Sequence, residues 1–107
     1  MTGPVYIAGP MSGLPDNNYP AFHAAASRLR AAGWQVTNPA ENTPPNSSPT
    51  WADWMALSLP QVRAAGLVAL LPGWEHSQGT RDECTEADLH GIPVFTLAEV
   101  LAGESHR

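Results

Sequence analysis

The chain has 107 residues, with ten acidic side chains against five basic ones and a formal charge of −5. That length suits one domain, residues 1–107, and the five basic residues are single scattered arginines, so no basic stripe serves a nucleic-acid polymer or an anionic membrane surface. The one cysteine, Cys84, excludes an internal disulfide and a cysteine-based zinc site, which fits a reducing, cytoplasmic setting.

Short apolar runs alternate with helical or loop segments, the pattern of a parallel sheet with crossover helices. Pro4 to Ala8 reads as the first strand, stopped at Gly9-Pro10 because proline cannot donate to a ladder. Gly9 to Asn18 is a long turn-rich loop. Phe22, Ala25, Ala26, Leu29 and Ala32 then recur at helical spacing, with Gly33 as the stop. Trp34 to Thr37 predicts a second short strand. Residues 40 to 50, with Pro44, Pro45 and Pro49, predict a mobile surface loop. Thr50 caps a helix opening at Trp51, in which Pro60 predicts a kink or restart. Gly66 to Leu71 is the longest apolar run, too short to span a bilayer, and its lack of alternation suits a central parallel strand. Pro72 to Gln78 leads into a helix from Gly79 to about His90, followed by a strand from Ile92 to Thr96 and a closing helix from Leu97 to Leu101. The fold class is α/β, with a Rossmann-like sheet of four to five strands and flanking helices.

In open parallel sheets the ligand crevice lies beyond the carboxyl ends of the strands. Three loops converge there: Gly9 to Asn18, Asn38 to Pro49 and Pro72 to Gln78. In the last, Ser77, Gly79 and Thr80 sit where a helix N-terminus offers unpaired N–H groups to an anion. Thr80, Glu83, Ala87 and His90 share one stripe, which turns Glu83 inward, and the positive end of the helix favours the ionised form of its carboxyl. On the helix alone a first-turn glutamate is more often a dipole partner or capping-box member than a catalytic group, and Ser77 is an ordinary cap candidate. His76 reads as a base or as a solvated loop histidine, and Cys84 as a small hydrophobe on the packed side. Trp51, Trp54 and Trp74 read as core or subunit contacts, with Trp74 in the site loop the best candidate for a ligand contact.

Four segments carry a family resemblance: Tyr6-Ile7-Ala8-Gly9-Pro10-Met11-Ser12-Gly13, Asn38-Pro39-Ala40-Glu41, Ala69 to Trp74, and Ser77-Gln78-Gly79-Thr80-Arg81-Asp82-Glu83. In order and spacing they resemble the nucleoside 2-deoxyribosyltransferase superfamily, and within it the small DUF4406-type proteins. The resemblance implies cleavage of an N-glycosidic bond, with Glu83 as nucleophile at the sugar C1′. It implies a substrate site formed by Tyr6, Gly9, Pro10, Met11, Ser12, Gly13, Asn18, Asn38, Trp74, Ser77, Gly79 and Thr80.

Serine at position 77 resembles the nucleoside 5′-monophosphate N-hydrolases, so a monophosphate held by Ser77, Gly79 and the Ser12-Gly13 turn is the implied substrate. Tyr6, Asn18 and Asn38 would then contact sugar or base. A deoxyribosyltransferase acting on free nucleosides, or a nucleotide-binding module without turnover, is the alternative. No metal or organic cofactor is implied, and a homodimer or higher homo-oligomer is. The sequence departs from the family at Ser58, where an aspartate is usual, so either Asp53, Asp82 or Glu41 substitutes for it or the activity is weakened or lost. The tail from Gly103 to Arg107 is also shorter than the segment with which related transferases complete a neighbour's site.

Overall fold

The computed structural model describes residues 3–103. Four strands, β1 (Val5–Ala8), β2 (Val36–Thr37), β3 (Leu67–Leu70) and β4 (Val94–Thr96), alternate with helices α1 (Tyr19–Ala31), α2 (Trp51–Arg63), α3 (Gln78–Leu89) and α4 (Leu97–Leu101). Every strand pair is parallel and the order is β2-β1-β3-β4, so the fold is the α/β class that the alternation of runs predicts. The chain moves outward from β1 to β2, then returns past β1 to β3. This reversal opens a crevice beyond the carboxyl ends of β1 and β3.

The two central strands are buried on both faces, and their alternation assigns each side chain to one of two cores. Val5 and Ile7 of β1 join Leu67 and Ala69 of β3 against Phe22, Ala25, Ala26 and Leu29 of α1 and Val100 of α4. Tyr6 and Ala8 join Val68 and Leu70 against Val62 of α2 and Ala87 of α3. The parity of Tyr6 therefore places its phenol on the side covered by α2 and α3. That placement determines which helices can meet it at the site.

Two local expectations change. The second strand is only Val36–Thr37, because Trp34 packs against the α1 core instead of extending the ladder. Pro60 does not restart α2: Met55, Ser58 and Val62 are buried on either side of it, and the Ala64 N–H donates to the Pro60 carbonyl at 3.1 Å. Packing of that face offsets the one intrahelical bond that proline forgoes.

The proline-rich segment runs as a largely exposed loop from Asn42 to Thr50, as predicted, and polar side chains tie it to α2. Asn42 and Gln61 exchange amide bonds of 3.1 and 2.9 Å, and Asn46 donates to Asp53 at 3.2 Å. Thr50 and Asp53 also form a reciprocal capping box at the start of α2. A count of apolar residues does not register such tethers. Of the tail, residues 104–107 lie outside the described residues.

At the end of β1, Gly9 lies so close to Leu71 that an added Cβ would stand 2.7 Å from the Leu71 Cβ. Gly9→Ala is therefore expected to lower stability by about 1–3 kcal/mol through overpacking, measured by urea denaturation. An unchanged midpoint would show that the Leu71 segment yields freely.

Candidate functional site

A cavity of about 410 Å³ opens beyond the carboxyl ends of the strands. Three loops contribute to it as expected: Gly9, Pro10, Met11, Ser12 and Asn17 after β1, Pro39 and Asn42 after β2, and His76 and Ser77 after β3. Its remaining wall comes from α2, through Trp51, Trp54, Met55 and Ser58, and from the first turns of α3, through Gly79, Thr80 and Glu83.

Glu83 is inside, as the stripe with Thr80 and Ala87 predicts, whereas His90 at the end of that stripe is exposed and faces Glu86. The α3 residues lean back toward the helix N-terminus, which brings the Glu83 carboxyl across to β1. There the Tyr6 phenol donates to Glu83 Oε2 at 2.5 Å, and both side chains are buried. The Ser58 hydroxyl of α2 also favours the ionised forms of Tyr6 and Glu83. One strand and two helices thus meet at a single carboxyl group.

Burial nevertheless dominates the electrostatics. It pushes the Glu83 carboxyl up to about 7, against the lowering effect of Tyr6 and Ser58 and with a further upward push from Asp82. The favourable helix end predicted for this carboxyl is therefore opposed by a desolvation cost that the sequence does not show. A dipole acting at a helix end does not outweigh loss of water around a buried charge. The Tyr6 phenol is pushed well above its usual range, first by burial and then by the neighbouring Glu83 charge.

At the start of α3 the Ser77 hydroxyl accepts from the Thr80 N–H at 3.2 Å and from the Thr80 hydroxyl at 3.0 Å. Ser77 is thus the helix cap, with its own hydroxyl hydrogen left to donate toward the cavity. Gly79 keeps the approach open. A Cβ there would lie 3.5 Å from both Met55 Sδ and Trp51 Nε1.

Of the sequence candidates, Tyr6, Gly9, Pro10, Met11, Ser12, Ser77, Gly79, Thr80 and Glu83 line the cavity together. Gly13, Asn18, Asn38 and Trp74 do not. Asn18 ends a left-handed turn in which Asp16, Asn17 and Asn18 have φ of 51°, 52° and 60°, and its amide is turned back to the Pro10 carbonyl at 3.0 Å. The neighbouring Asn17 lines the cavity instead. Asn38 is buried, accepting from the Ala40 N–H at 3.0 Å and facing His23 Nδ1 at 3.3 Å. Trp74 lines a separate groove with Arg28, Leu97 and Leu101.

The sequence reading also missed the α2 wall. Trp51, read as a core or subunit contact, is 53% exposed beside the cavity, and Trp54 lines it. Capping by Thr50 locates the start of α2, but no sequence signal assigns that helix to the Tyr6 face of the sheet.

Residues 3–96 match the family described as domain of unknown function (DUF4406), and the chain belongs to that family. No curated protein and no solved structure matches it. Among the described residues, no helix is long and apolar enough to cross a membrane.

Proposed function

We propose that the protein is an N-glycosidase that removes the base from a nucleoside 5′-monophosphate. The observation that carries this reading is the buried Glu83 carboxyl, held by Tyr6 at 2.5 Å on the wall of a cavity of about 410 Å³. Cleaving the C1′–N bond develops oxocarbenium character at C1′, and a fixed carboxylate stabilises that charge or captures it as a glycosyl ester. Water then hydrolyses the ester, releasing sugar phosphate and restoring the carboxylate.

Resemblance to the nucleoside 2-deoxyribosyltransferase superfamily supports Glu83 in that role. Ser77 and the N–H groups at the start of α3, with Ser12 also lining the cavity, offer donors to a phosphate where a carboxylate at position 77 would repel it. Nucleotide binding without turnover is a second reading, and Ser58 favours it. This buried hydroxyl stands where an aspartate is usual and cannot serve as a carboxylate base.

Incubation with ribo- and deoxyribonucleosides and their 5′-monophosphates, followed by chromatography of free base, separates these readings. Base from monophosphates alone supports the proposal, and base from free nucleosides points to the transferase alternative. If no base appears while a nucleotide raises the melting temperature, the binding module is the correct reading.

A further inference from the structure

The departing base needs a proton, and Ser58 cannot supply one as a carboxylic acid would. Each of the three carboxylates named as a replacement is engaged by another group. Asp53 accepts from the Thr50 N–H at 2.9 Å in the capping box, Glu41 is paired with Arg30 at 3.0 Å, and Asp82 accepts from Gln78 at 2.9 Å. None of the three lines the cavity.

Among the described residues, the titratable side chains that do line it are Tyr6, Tyr19, His76 and Glu83. Tyr6 already donates to Glu83, which itself faces C1′ in the proposed reaction. Tyr19 packs edge-on against His23, with ring centroids 6.4 Å apart, and a phenol is a poor proton donor at neutral pH. Imidazole is the side chain suited to giving and regaining a proton there.

We propose that His76 is the general acid that protonates the leaving base. The proposal rests on the glycosidase reading above. As the C1′–N bond breaks, its electron pair goes to the base nitrogen, which takes the proton of the His76 imidazolium while a Glu83 oxygen bonds to C1′. In the second step water attacks C1′ and gives its proton to the now neutral imidazole, the ester bond returns its electrons to Glu83, and both groups are restored.

The backbone supports this placement. His76 closes a short 3-10 turn, Trp74–His76, in which its N–H donates to the Gly73 carbonyl at 3.1 Å, immediately before the Ser77 cap. The residue is exposed to solvent at the mouth of the cavity it lines.

The test compares wild type with His76→Gln on two substrates: a purine nucleoside 5′-monophosphate and its N7-methylated form. The methylated base is cationic and departs as a neutral molecule without needing a proton. Loss of the general acid is expected to slow base release from the unmethylated nucleotide about 100-fold or more, with a loss below about tenfold on the methylated one. Equal rates for variant and wild type, or equal losses on both substrates, would overturn the assignment. So would a loss confined to KM for monophosphates and absent with free nucleosides, which would make His76 a phosphate contact. Because His76 is exposed, the variant should melt as wild type does, which separates a chemical loss from a folding defect. If wild type releases no base even from the methylated nucleotide, the glycosidase reading itself fails, and the role of His76 fails with it.

Discussion

Glu83→Gln is expected to abolish base release and, at the same time, to stabilise the fold above neutral pH. The carboxyl has a pKa of about 7 in the folded chain against an ordinary value of 4.5, so the native state binds the proton more tightly than the unfolded chain does. Its favourable contribution is complete below 4.5, declines as the pH rises from there, and is lost above about 7. A difference of roughly 2.5 units corresponds to about 3 kcal/mol. Glutamine keeps an acceptor oxygen for the Tyr6 hydroxyl and has no charge to desolvate. Thermal melting at pH 5 and pH 8 should therefore show near-equal stability at the lower pH and a variant melting about 10–20 °C higher at the upper one. A variant less stable than wild type at pH 8 would mean that the site favours the charged carboxylate. Stability gained on losing activity is the pattern of a group held for chemistry at a cost to the fold.

The α/β layout was legible because each element carries its own periodicity. β1 and β3 are uniformly apolar, α1 shows its stripe, and Thr50 and Ser77 mark helix starts by their capping chemistry. The inward direction of Glu83 followed from its register with Thr80 and Ala87. What was not legible depends on the tertiary arrangement. The face on which α2 packs decides that Trp54, Met55 and Ser58 join the site, and no local pattern encodes it. Asn17 and Asn18 differ by one position in a left-handed turn, yet one lines the cavity and the other turns back to Pro10. The desolvation of Glu83 was not legible because the dipole of α3 is local and visible in sequence, whereas burial comes from β1 and α2 together.

The Tyr6–Glu83 bond sets how far that desolvation is offset, and Tyr6→Phe is expected to move the pH dependence of the proposed reaction. A nucleophilic Glu83 must be ionised, so on the N7-methylated nucleotide, whose base departs without a proton from His76, kcat/KM should rise with pH through the carboxyl's value of about 7. A hydrogen bond to a charged acceptor contributes roughly 1.5–3 kcal/mol, so its removal should raise that value by about 1–2 units. At pH 7 the ionised fraction, and with it kcat/KM, would fall about 5- to 50-fold and recover toward pH 9. Stability should follow the same linkage. The variant's carboxyl would keep losing its stabilising contribution beyond pH 7, so its deficit relative to wild type should be larger at pH 9 than at pH 5. Ser58→Ala should move the profile in the same direction, because its hydroxyl also favours the ionised carboxylate. The Tyr6 bond is at its strongest when Glu83 is charged, which is the state in which attack on C1′ begins. A phenylalanine variant with an unmoved acidic limb would show that another group sets the ionisation, and that Tyr6 serves only to fill the core beneath the cavity.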